Sequence, residues 1–182
     1  SVILYRPLRW KKCKINGFTF QTVCSTFHTI RTKPTEKDFI VSKRVAVLTS
    51  GGDAPGMNAC IRAIVIACKK RNYDLIGYLH GYNGLIKQES ISLSLDSTHN
   101  LIQQGGTVLH SARCKAFTEE AGLKQAAANL SEAGVDALLV IGGDGSFRGA
   151  THLADHYLGQ IIGIPGTIDN DIAGTDATIG YY

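Results

Sequence analysis

"RVAVLTSGGDAPGMNACIRAIVIACKK" (residues 44–70) runs from an apolar segment through a glycine turn into an amphipathic stretch. Residues 45–49 are short, apolar and followed at once by glycines, the pattern of a buried strand. Over residues 57–70, Ile61, Ile64, Val65 and Cys68 recur at helical spacing, which predicts a helix with one apolar face. The same alternation continues downstream. Residues 73–79 read as a second strand, residues 123–133 as an alanine-rich helix, and residues 137–141 as an apolar strand entering another glycine turn. Helical potential follows in "SFRGATHLADHY", then an apolar strand at residues 160–164. Strands alternating with helices predict an α/β fold, a parallel sheet with helices on both faces.

Composition fits that reading. A chain of 182 residues is one domain by length, and 44% hydrophobic with 19% charged residues is ordinary for a globular protein. Five cysteines (Cys13, Cys24, Cys60, Cys68, Cys114) form no CxxC pair and no zinc-type spacing, so they are expected as reduced, mostly buried thiols of a cytoplasmic protein. No apolar run approaches the ~20 residues that span a bilayer, so no membrane partner is expected.

The net charge of +4 conceals an asymmetry. Residues 1–44 carry ten Lys or Arg against Glu36 and Asp38, whereas residues 45–182 carry nine against thirteen acids. The basicity therefore lies outside the patterned part of the chain, and no nucleic-acid partner is expected. Residues 1–44 show no sustained period. Their composition is that of a transit peptide, although "FTFQTVCSTFHTI" is more apolar than such segments usually are. They are expected as a disordered extension or as residues outside the functional domain, which is placed at 45–182.

Three motifs follow the ends of apolar strands, where the ligand crevice of an open α/β sheet lies. In "TSGGDAPGMN", Gly51 and Gly52 let backbone amides approach an anion, and the next helix offers its positive end. The lysine of a GxxxxGK[ST] loop is missing. In "GGDGS", glycines flank Asp144, whose carboxylate suits Mg²⁺ held together with substrate phosphates; a plain Asp turn is the alternative. "IPGTIDNDIAGTD" holds Asp169, Asp171 and Asp176 with no cation among them. A carboxylate there can take the proton of an attacking hydroxyl, and a second can orient it; an Asx-rich turn is the alternative. Between these, "GGTVLHSARCKAF" carries Arg113 with no acidic neighbour within five residues, so its guanidinium is open to phosphate or to solvent. His110 is expected to be structural.

"VLTSGGDAPGMNACIR", "GGTVLHSAR", "ALLVIGGDGSFRGA" and "GIPGTIDNDIAGTDATIGY" together resemble the ATP-dependent 6-phosphofructokinases of the bacterial type. The resemblance covers residues 45–182. It implies a Rossmann-like three-layer domain, with a second domain missing from this chain, and Mg²⁺-dependent phosphoryl transfer from ATP to the 1-hydroxyl of fructose 6-phosphate. By resemblance Asp169 is the general base, and Thr167 and Ile168 share its sugar-phosphate stretch. Asp171 supports base and metal, and Asp144 is the Mg²⁺ ligand. Gly143, Asp144, Gly145 and Ser146 form the nucleotide loop, and Gly52 offers an amide to the phosphates. Arg113 steadies the transferred group, with Cys114 beside the nucleotide. Family members that use pyrophosphate tend to have an acid in place of Gly145 and a lysine in place of Gly166. Glycine at both is taken to leave room for the α-phosphate of ATP.

The resemblance also implies a homotetramer at full length. Arg62 matches an effector-binding arginine, but Ile66 stands where a second is expected, which speaks against nucleotide activation there. The chain is expected to be a fragment of such an enzyme. Two alternatives stand beside it: a catalytically silent nucleotide-binding fragment, and a relative of the NAD and lipid kinases, which share "GGDG" but lack "PGTIDND".

Overall fold

The computed structural model describes residues 10–15, 18–23 and 43–181. Strands β1 (Trp10–Ile15) and β2 (Phe18–Val23) pair antiparallel, with Ile15 opposite Phe18 and Trp10 opposite Val23. Two strands therefore stand where the sequence showed no sustained period. The overlooked signal is the Asn16-Gly17 pair between them in sequence, the dipeptide that two-residue hairpins favour. The rest of residues 1–42, with Cys24, lies outside the described residues.

The quoted stretch forms β3 (Arg44–Thr49) and α1 (Met57–Lys69). The chain continues through β4 (Asp74–Tyr78), α2 (Tyr82–Lys87), β5 (Ser90–Ser92), α3 (Glu120–Glu132), β6 (Ala137–Gly142), α4 (Asp144–Ala154) and β7 (Gln160–Pro165). Five strands form one sheet in the order β5-β4-β3-β6-β7. β4, β3, β6 and β7 are parallel, as the alternation of strands and helices predicts. β5 departs from the expected all-parallel sheet and runs antiparallel along the β4 edge. It follows α2 after two residues, too few for the crossover that a parallel neighbour requires.

Side chains alternate across the sheet and build two cores. Ala46, Leu48, Leu138 and Val140 pack with Leu85 of α2, Leu123 and Leu130 of α3, and Leu153 of α4. On the opposite face Val47, Ile141 and Ile164 meet Met57, Ile61 and Val65 of α1. Each such side chain contributes about 1.5–3 kcal/mol by leaving water. On the α1 side an apolar groove of about 800 Å³ remains between α1 and β7, lined in part by Ile64, Leu139 and Ile162. No helix among the described residues is long and apolar enough to cross a membrane.

The short helix α2 has no sequence period of its own and is held from outside. Buried Asn129 of α3 donates through Nδ2 to the carbonyls of Leu85 (2.9 Å) and Ile86 (2.7 Å), two of the acceptors that a helix C-terminus leaves unpaired. Its Oδ1 accepts from Gln88 (3.0 Å) and Gln125 (2.8 Å). Asn129→Leu is expected to lower unfolding stability by about 1–3 kcal/mol, because two buried carbonyls lose their donor. The urea midpoint measures it, and an unchanged midpoint would mean that α2 does not depend on α3.

Candidate active site

Parallel register sets Thr49 opposite Ile141 and Gly142 opposite Pro165, so β3, β6 and β7 end on one edge of the sheet. The ladder runs one step into each loop: Ser50 N–H donates to Ile141 O (3.0 Å) and Gly166 N–H to Gly142 O (2.9 Å). The three loops thus leave from fixed neighbouring points and face one another. Between them opens a cavity of about 760 Å³.

Every residue assigned a catalytic, nucleotide-, sugar- or metal-binding role by the resemblance lines this cavity, while Gly166 and Arg62 lie outside the lining. From the β3 loop comes Gly52, and from the segment after β5 come Arg113 and Cys114. Gly143, Asp144, Gly145 and Ser146 enter from the β6–α4 junction, and Thr167, Ile168, Asp169 and Asp171 from the segment after β7. Asp176 and His110 lie outside the lining. His110 instead stacks on His80 at 5.0 Å, and its carbonyl accepts from Thr49 Oγ1 (2.7 Å).

The β6–α4 junction differs from the loop expected of "GGDGS". Asp144 already belongs to α4, whose N-cap is Gly143 with no side-chain cap, so first-turn amides stay available to an anion. Ser146 is buried inside that first turn, its carbonyl accepting from Tyr82 Oη at 2.6 Å. Burial pushes the Tyr82 phenol far above its usual range, so it remains a donor at any physiological pH. The Tyr82 ring stacks on Phe117 at 3.8 Å, and both rings line the cavity.

The segment carrying Arg113 has little regular structure, and side chains from three elements clamp its backbone. Asn58 of α1, buried, donates to Gln104 O (3.0 Å) and accepts from Val108 N–H (2.8 Å). Thr49 holds His110, and Asn83 of α2 donates to Arg113 O at 3.2 Å. Sequence reading missed these clamps. The available signal was an asparagine on the apolar face of α1, where a polar side chain needs a partner.

In the segment after β7, Asp169 N–H donates to Thr167 Oγ1 (3.1 Å), and Thr167 O accepts from Thr178 Oγ1. The carboxylates of Asp169 and Asp171 have no hydrogen-bond or ion-pair partner among the described residues, and both remain exposed. Asp144 is different: its Oδ2 lies 2.8 Å from Nη2 of Arg148, four residues on in α4.

The two glycines linked with donor choice sit in unlike surroundings. A Cβ on Gly145 would meet nothing within 4 Å. One on buried Gly166 would lie 3.2 Å from Ile141 Cγ2 and 3.3 Å from Met57 Cε. A side chain at position 145 would therefore stand in open space, whereas Gly166 is packed against the core. Arg62 spends its guanidinium on the chain itself, donating to Leu95 O (2.7 Å) and Thr98 Oγ1 (2.8 Å).

Residues 44–182 match the family model described as phosphofructokinase. The chain belongs to the phosphofructokinase family. Over 140 residues it is 51% identical to an ATP-dependent 6-phosphofructokinase of Staphylococcus aureus (strain JH9), covering 76% of this chain and 44% of that protein. It thus spans less than half the length of that relative. The crystal structure of Pichia pastoris phosphofructokinase in the T-state superposes with a TM-score of 0.73 at 40% identity, over 81% of this chain and 18% of that one. A pyrophosphate-dependent phosphofructokinase from Marinobacter aquaeolei gives a TM-score of 0.67 at 25% identity, over 76% of this chain and 37% of that one. Relatives of both donor types share the fold, so donor choice must be argued from individual side chains.

Proposed function

We propose that the chain supplies the nucleotide side of an ATP-dependent 6-phosphofructokinase, which moves the γ-phosphoryl group of ATP to the 1-hydroxyl of fructose 6-phosphate. What carries the reading is the convergence, on one cavity, of the Asp169 and Asp171 carboxylates, the exposed Arg113 side chain and an uncapped helix N-terminus from three separate stretches of chain. Phosphoryl transfer asks for positioning and charge neutralisation more than covalent chemistry, and these groups provide both.

Asp169 accepts the hydroxyl proton as the oxygen attacks, its carboxylate kept free and its backbone fixed by Thr167. Asp171, in the same cavity lining, supports the base and the metal site. Arg113 faces the charge that spreads over the transferred oxygens. The amides of Gly52 and the α4 N-terminus receive the phosphate chain of the donor. Among the described residues no group of three or more His, Cys, Asp or Glu forms a metal cage. That suits Mg²⁺, which takes one or two carboxylates and completes its shell with water and phosphate oxygens. Asp144 would hold it, and once bound the ion supplies charge neutralisation between the outer phosphates. A homotetramer with fructose 6-phosphate bound partly across subunits is the assembly proposed for the full-length enzyme.

Fructose 6-phosphate-dependent release of ADP tests the reading, measured for this chain and for a subunit that spans the full length of the relatives. Lack of turnover by the long form would overturn it. A cheaper observation uses the cavity thiol. Cys60 and Cys68 are buried, and burial pushes the Cys60 thiol up to about 12, which keeps it unreactive. Cys114 is partly exposed in the cavity. Iodoacetamide is expected to label Cys114 well before Cys60 and Cys68, and MgATP to slow that labelling several-fold, as peptide mass mapping would show. Labelling of Cys114 at the same rate with and without MgATP would count against a nucleotide beside it.

A further inference from the structure

The side chains of Asp144, Arg148 and His152 recur every four residues and form a stripe on α4 that lines the cavity. Nothing above gives Arg148 or His152 a task, and of the two Arg148 is the one paired with Asp144. Its guanidinium lies 2.8 Å from the one carboxylate argued to receive a divalent cation, and its side chain is 76% exposed. A cation bound at Asp144 would compete with the guanidinium for the charge of the carboxylate and repel it, which weakens the pair. The pair is exposed on both sides, and such pairs hold together by little. Arg148 can therefore leave at small cost when a cation arrives. A freed guanidinium on the wall of this cavity then meets the polyphosphate that the cation brings, and arginine binds phosphate through two parallel N–H donors.

We propose that Arg148 is a further phosphate-binding residue of the nucleotide site, parked on Asp144 until a divalent cation displaces it onto the phosphate chain. The proposal rests on the nucleotide reading above and adds a residue to it. In the resting site Arg148 neutralises Asp144 and limits repulsion of an incoming anion. In the loaded site it adds positive charge to the wall that receives the phosphates. Gly145, one turn before it in α4, carries no side chain, and a Cβ there would meet nothing within 4 Å, which leaves room beside Asp144 for the guanidinium to move.

The test is the pair of affinities for Mn²⁺ alone and for Mn²⁺–ATP, read by electron paramagnetic resonance of free Mn²⁺ and by calorimetry on the unaltered chain and on Arg148→Met. Methionine is a good helix former at an exposed helical position, so the fold is kept; thermal melting checks this. Two shifts of opposite sign are expected. Mn²⁺ alone binds Arg148→Met several-fold more tightly, because its competitor is gone. Mn²⁺–ATP binds about tenfold more weakly, because a charge-assisted contact is lost. Arg148→Lys should restore most of the second affinity. If both ligands bind Arg148→Met more tightly, Arg148 only opposes the metal and the phosphate contact is wrong. If neither affinity moves, the ion pair is an ordinary surface pair and the proposal falls. Failure of the unaltered chain to bind Mn²⁺–ATP at all overturns the nucleotide reading itself, and this inference with it.

Discussion

Asp169→Asn, made in a subunit that spans the full length of the relatives, lowers kcat by roughly 10²- to 10⁴-fold and leaves KM for fructose 6-phosphate nearly unchanged. Asparagine keeps the size and the backbone hydrogen bond to Thr167 but has no lone pair basic enough to take a proton. The loss therefore falls on the step in which the hydroxyl becomes a nucleophile, and binding of ground-state sugar phosphate is spared. Asp171→Asn is the companion measurement. Asp171 supports the base and does not itself take the proton, so its loss should cost less in kcat. If Asp169→Asn keeps near-normal kcat, the base is another group, and free Asp171 in the same cavity becomes the first candidate.

How much of this was legible in the sequence depended on whether a feature leaves a periodic trace. The four parallel strands of the sheet and the helices α1, α3 and α4 announce themselves because each buries an apolar face, and their bounds fall within a few residues of expectation. α2 and β5 left no such trace. α2 is six residues long and is stabilised by Asn129 from another helix; β5 is three exposed residues added to an edge. Neither has enough apolar repetition to register. The same division holds at the site. Loop glycines and aspartates were readable because few other tasks explain them at the ends of strands. The clamps on the Arg113 segment were not, since Asn58, Thr49 and Asn83 act on backbone carbonyls and amides that sequence pattern does not connect. Arg148 carries no sequence signal of its own, and its ion pair with Asp144 is visible only in the structure.

Gly145→Asp separates the nucleotide site from the fold, and it should cost about two orders of magnitude in MgATP affinity with no loss of thermal stability. The stability half comes from geometry. Gly145 is the second residue of α4, where a Cβ meets nothing within 4 Å and the backbone φ is not left-handed. An acid in the first turn of a helix also interacts favourably with its dipole, so the melting temperature should hold or rise slightly. The affinity half comes from charge. A new carboxylate on this turn would stand at roughly 6 Å from the donor's phosphates, and at an effective dielectric near 20 one pair of like charges at that distance costs about 3 kcal/mol, close to a hundredfold in binding. The matching change at Gly166 could not give so clear an answer. There a Cβ presses on Ile141 and Met57, so Gly166→Lys would disturb the core and lose affinity for reasons unrelated to the donor. Calorimetric titration of MgATP together with a melting curve settles the point. A Gly145→Asp chain that melts normally and binds MgATP as well as before would remove the phosphates from the α4 N-terminus, and with them the argument that this turn favours ATP over a smaller donor.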